Sequence, residues 1–178
     1  MIFRAVEDAD LIAKTRKGDV EAYNLLISRW EKRVFNYLLR LVGNREDAFD
    51  LSQDVFLKAY QNIRKIDDTS RFGPWLFRIA HNEAYSMFRK KRPEVDISEM
   101  PERAKAHAFP MEMSLAVTAA LDRLTVEQKE AVVLKVYQGF KFEEMAEILD
   151  TPVSTIKSRV YTALEVLKVN LAPLERKN

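Results

Sequence analysis

Residues 143–168 read EEMAEILDTPVSTIKSRVYTALEVLK, two short helical patterns that meet across a tight break. Met145, Ala146, Ile148 and Leu149 supply the apolar side of the first. Thr151 is placed to cap the second, with Pro152 at its first position, where φ is already set and no N–H is needed. Along that second helix Val153, Ile156, Val160, Ala163 and Leu167 recur at three- and four-residue steps, which predicts a buried stripe. The opposite side carries Ser154, Thr155, Lys157, Ser158, Tyr161 and Thr162, concentrated in the first two turns. A helix-turn-helix presents such groups to base edges in the major groove, with a small residue, here Ala146, where its helices approach. Any amphipathic surface helix also has a polar face. It is the break, the cap, the small residue and the hydroxyl-rich start together that favour DNA reading.

Upstream of this motif the signals are helical almost throughout. Asp19 can cap a helix whose apolar residues run from Ala22 through Leu26, Val34 and Leu38 to Leu41. Gly43 suits its C-terminal cap and Asn44 the next N-cap. In the following segment Ala48, Leu51, Val55, Ala59 and Ile63 form one stripe, opposite Asp47, Asp50, Gln53, Asp54 and Lys58. After the polar stretch RKIDDTSRFG, helix resumes at Pro74 and stops before Pro93, because the residue preceding proline disfavours helix. From Pro93 to Pro110 the sequence is acidic and aperiodic and reads as a linker. TVEQ at 125–128 fits a capping box, and Gly139 ends that helix. These signals predict an all-α protein of two small helical domains on a flexible acidic tether, the second containing the helix-turn-helix.

Composition narrows the function. With 178 residues, 47% of them hydrophobic, the chain can bury one ordinary core or two small ones. Cysteine is absent, which removes disulfides and thiolate chemistry and suits a reducing cytoplasm. Acidic residues come too early for a signal peptide, and no uncharged run approaches the ~18 residues of a membrane span, so a soluble cytoplasmic protein is expected, with no membrane insertion. The net charge of +2 divides into +5 over residues 1–92, −3 over 93–113 and zero over 114–178. A neutral helix-turn-helix domain lacks much of the phosphate attraction that gives DNA binders their affinity, and so needs a partner to hold it in place.

The first half offers a second nucleic-acid surface. In RFGPWLFRIAHNEAYSMFRKKR, Arg78, Asn82, Tyr85 and Arg89 share one helix face, while Leu76, Ala80, Ala84 and Met87 can line the buried side. Cations interleaved with an aromatic suit single-stranded nucleic acid. They suit equally a solvated helix end, with Phe77 and Phe88 in the core. An enzyme is disfavoured: His81 and His107 lie apart, and no glycine-rich phosphate loop exists. No carboxylates sit at metal-ligand spacing, so neither a metal nor another cofactor is expected.

Three motifs, LVGNREDAFDLSQDVFLKAY, WLFRIAHNEA and GFKFEEMAEILDTPVSTIKSRV, stand in the order and spacing of one family. In them the chain resembles an extracytoplasmic-function (ECF) sigma factor, the small two-domain class of bacterial transcription initiation factors. The resemblance implies sigma domain two at residues 5–92, a linker at 93–113 and sigma domain four at 114–174. It implies that Asp50, Leu51, Gln53 and Asp54 dock on the β′ clamp helices of core RNA polymerase, with domain four at the β flap. It implies that Ile66, Asp67, Asp68, Thr69 and Ser70, with Asn82 beneath them, capture a flipped base of the −10 element. Lys58, Arg78, Tyr85 and Arg89 would complete that surface. The −35 duplex would be read by Thr155, Lys157, Ser158, Arg159, Tyr161 and Thr162. An anti-sigma factor, in some relatives membrane-anchored, is the further partner implied. Two departures stand out: Thr162 and Leu164 occupy positions usually basic, and Lys141 replaces a capping Ser. The competing reading is a stand-alone DNA-binding regulator with a helical sensor domain, for which the DLSQD face would be dispensable.

Overall fold

The computed structural model describes residues 6–91 and 115–175, with side chains up to Leu171. All regular structure among them is helical. The first unit holds α1 (Asp8–Arg16), α2 (Val20–Val42), α3 (Arg45–Asn62) and α4 (Phe72–Lys91), with two 3₁₀ turns, Ile63–Lys65 and Thr69–Arg71, between the last two. The second holds α5 (Leu115–Leu121), α6 (Val126–Val132), which continues as a π turn at Val133–Tyr137, then α7 (Phe142–Leu149) and α8 (Val153–Glu175). The expected linker, 93–113, lies outside the described residues.

Helix ends follow local chemistry. The Asp19 carboxylate accepts from Ala22 N–H at 3.0 Å, and Asn44 Oδ1 accepts from Asp47 N–H at 3.0 Å. Between them Gly43 takes the left-handed conformation, φ 72°, that terminates α2. Thr125 and Gln128 exchange both bonds of the expected capping box. The helix α1, which has no side-chain cap, was not anticipated; it is held by buried Leu11 and Ile12. Arg16 in its last turn donates to the carbonyls of Ile63 and Ile66.

One start differs from expectation. α8 begins at Val153, and the Pro152 carbonyl accepts its first helical bond, from Ile156 N–H. The Thr151 hydroxyl does not cap this helix. It donates backward to the Leu149 carbonyl at 2.9 Å, closing the end of α7. Asp150 makes the intervening turn at φ 47°, a left-handed conformation that an aspartate tolerates better than most residues.

In the first unit α2, α3 and α4 pack around Val34, Leu38, Val55, Ala59, Leu76 and Ala80. The two units do not stand apart. α4 packs on α7, and α2 touches α6 and the π turn. Phe77 and Tyr37 share one apolar cluster with Leu134, Phe140, Met145 and Ile148. A smaller cluster of Leu121, Leu124, Val132 and Ala163 lies inside the second unit.

Candidate nucleic-acid interface

The helix-turn-helix is formed by α7 and α8. Ile156, Val160 and Ala163 are fully or almost fully buried, as their spacing predicts. On the outer side Ser154, Thr155, Lys157, Ser158, Tyr161 and Thr162 are all exposed. Lys157 Nζ lies 5.6 Å from the Phe142 ring centre, and the Tyr161 ring lies 6.3 Å from it, so α7 supports the exposed face from one edge. Arg159 is half-buried and faces inward, where its charge acts on Tyr85 of α4. At the start of α7, Lys141 makes no side-chain cap. Glu144 compensates by accepting from the Lys141 N–H at 2.8 Å.

The first unit divides its candidate residues between separate places. Asn82, Arg78 and Arg89 are exposed on α4. Asn82 lines a small cavity of about 250 Å³ with Lys58, Asn62, Lys65, Trp75 and Ile79, a mixture of amide, cation and indole that can hold a planar base. Lys58 is paired at its rim with Glu83 at 2.5 Å. Thr69 and Ser70 instead line a crevice between the two units. Ile66 is buried, so this loop offers its backbone and the exposed side chains of Asp67, Asp68 and Ser70. The Asp68 carboxylate accepts from the Ser70 hydroxyl at 2.6 Å and the Ser70 N–H at 2.9 Å. Those bonds, the hydroxyl first, hold its pKa below the usual aspartate value.

Tyr85 is not free on the α4 face. Its hydroxyl donates to Glu130 Oε2 at 2.8 Å, across the seam between the units. Burial, then the Glu130 carboxylate, pushes its pKa well above that of an ordinary tyrosine. Glu130 itself escaped the sequence reading. The available signal was an acid on the same helical stripe as Val126, Val133 and Leu134.

A third surface lies between α2 and α3. Asp50, Gln53 and Asp54 are exposed on α3, Gln53 toward α2 and Asp50 and Asp54 beside a small cavity shared with Glu83, Met87 and Lys91 of α4, whereas Leu51 is buried in the packing. Next to them runs a groove of about 880 Å³ lined by Val20, Tyr23, Ile27, Phe35, Phe49, Phe56, Leu57 and Tyr60. Phe49 and Leu57 are more than half exposed. Glu31, Lys32, Arg45 and Gln53 also line it, so exposed apolar side chains lie here beside charges of both signs. Among the described residues no group of acids and histidines could hold a metal ion, and no helix is long and apolar enough to cross a membrane.

Two families match separate parts of the chain. Residues 26–94 match the sigma-70 region 2 family and residues 114–167 match sigma-70 region 4. The ECF RNA polymerase sigma-E factor of Haemophilus influenzae is 32% identical, over 94% of this chain and 96% of its own length. That of Escherichia coli is 31% identical, over 96% and 97%. The sigma factor RpoE from Bartonella quintana, solved with the anti-sigma factor NepR, superposes with a TM-score of 0.75 at 30% identity, covering 84% of this chain and 96% of that one. With both regions present and the similarity running nearly end to end, the chain belongs to the ECF sigma factors: it is an alternative sigma factor that directs promoter-specific transcription initiation and is not itself an enzyme.

Proposed function

We propose that residues 5–92 and 114–174 are the polymerase-binding and −35-reading domains of this factor, acting in the cytoplasm on core RNA polymerase. The exposed face of α8 carries the reading. Thr155, Lys157, Ser158, Tyr161 and Thr162 project from a helix whose opposite side is locked in the core, so the face is rigid and free to enter a major groove. The outer side of α3, with Asp50, Gln53 and Asp54 exposed and the α2–α3 groove beside it, meets the β′ clamp helices, and the second domain meets the β flap. The cavity under Asn82 receives an unstacked −10 base, with Arg78 and Arg89 on the backbone, while Asp67, Asp68 and Ser70 offer a separate set of contacts from their loop. Opening a duplex costs less when the extruded base gains stacking and hydrogen bonds in a pocket. Because the second domain has no net positive charge, the polymerase supplies its effective concentration at the promoter. An anti-sigma factor holds the chain inactive, as the complex of the Bartonella quintana relative suggests.

Run-off transcription with bacterial core polymerase on a promoter library tests this. Discrete transcripts that depend on the chain and share −35 and −10 sequences support it. No such transcripts, and no co-migration with core polymerase, would transfer the helix-turn-helix to a stand-alone regulator.

A further inference from the structure

Glu130 is 1% exposed, and among the described residues the side chains that bond its carboxylate come from the other domain. Tyr37 Oη of α2 donates to Oε1 at 2.5 Å, Tyr85 Oη of α4 donates to Oε2 at 2.8 Å, and His81 Nδ1 of α4 lies 2.7 Å from Oε1. A carboxylate placed this deep is stable only while those donors surround it, since an unpartnered buried charge is strongly disfavoured. The same carboxylate is content in water. Parting the domains therefore rehydrates Glu130 and both phenols. Around it the seam is closed by Arg33, which donates to the Gln138 carbonyl at 3.0 Å, and by a surface pair, Arg71 with Glu147.

We propose that Glu130 is a releasable latch within the chain, which holds the two domains closed and withholds Tyr85 and His81 on α4 from nucleic acid. Withholding from DNA rests on the −10 reading of α4 given above; the latch itself does not. Closure is also selective. It covers the α4 side that bears Phe77, His81 and Tyr85, but leaves the −35-reading face of α8 and the Asn82 cavity open. A promoter can thus be met by α8 before the domains part.

The chain has no cysteine, so two can be introduced for spin labels at exposed positions, Glu21→Cys on α2 and Lys168→Cys on α8. Pulsed dipolar spectroscopy on the full-length labelled chain should give one narrow distance population. Glu130→Ala, which strands three polar groups in the seam, should shift the closed-to-open ratio about tenfold or more toward long, broad distances. Tyr37→Phe with Tyr85→Phe keeps both rings, removes two donors and should shift it the same way, so a folding defect in one variant does not decide the matter. Parent-like distances in both variants would overturn the latch. The distances respond whether or not the chain binds polymerase. Loss of the sigma reading would therefore appear in transcription and leave this result standing.

Discussion

Gly73 passes so close to Trp30 that a Cβ added to it would lie 2.8 Å from the indole Cη2 and 3.7 Å from Phe140 Cε1. Three segments, the start of α4, the middle of α2 and the loop before α7, meet at that point. The Arg33 guanidinium lies 4.7 Å from the Trp30 ring centre and 5.7 Å from that of Phe140, completing a cation–aromatic stack at the seam. Gly73→Ala should force the indole aside and destabilise the chain by roughly 1–3 kcal/mol, read from the urea midpoint. An unchanged midpoint would mean that Trp30 has room to retreat.

Lys157 is exposed in the second turn of α8 and has no carboxylate partner among the described residues. In the polymerase-bound form, Lys157→Ala should weaken −35 duplex binding and reduce the slope of log affinity against log salt by about one. If affinity falls with no change in slope, the lysine reads a base edge and not a phosphate.

Phe49 and Leu57 are 56% and 57% exposed, so Phe49→Ser with Leu57→Ser should change folding stability by about 0.5 kcal/mol or less for each site. Binding to core polymerase should fall at least about tenfold, measured by competition against the parent chain. Loss of both binding and fold would show the groove to be part of the core.

The Asp68 carboxyl is held below the ordinary aspartate pKa by the Ser70 hydroxyl and N–H. Its folded value is depressed, so its contribution to the loop is present above the titration range of a free aspartate and disappears as pH falls through the lowered value. Ser70→Ala removes the larger of the two bonds and should raise the pKa, followed by carbon NMR of the carboxyl. A titration identical to the parent's would locate the shift elsewhere in the loop.

The caps at Asp19, Asn44 and Thr125 were legible because a side chain and an N–H three residues on are close in sequence and in space. So were the buried stripe of α8 and its outward polar face. Thr151 shows the limit of such reasoning: its type suits a cap, but the hydroxyl found the Leu149 carbonyl first. The short α1 carries neither a cap nor a strong apolar period, and its position depends on Arg16 reaching carbonyls 47 and 50 residues away. Tyr85 and Glu130 are separated by 45 residues, and the apolar stripe on which Glu130 falls does not say which groups will meet it. The α2–α3 groove escaped for a related reason. Phe49, Leu57 and Tyr60 fall off the buried stripe of α3, and only the neighbouring helix turns them into one surface.

The apolar cluster that crosses the seam couples the protein's conformation to its survival. Phe77 and Phe140, with ring centres 5.0 Å apart, are shielded only while the domains stay together. Each opening that no partner follows exposes them to water and to proteases, and degradation then tracks the fraction of time spent open. A factor built this way is long-lived when idle and closed, protected again when bound, and short-lived in between. Its abundance in the cell is then set partly by how often it opens with nothing to bind.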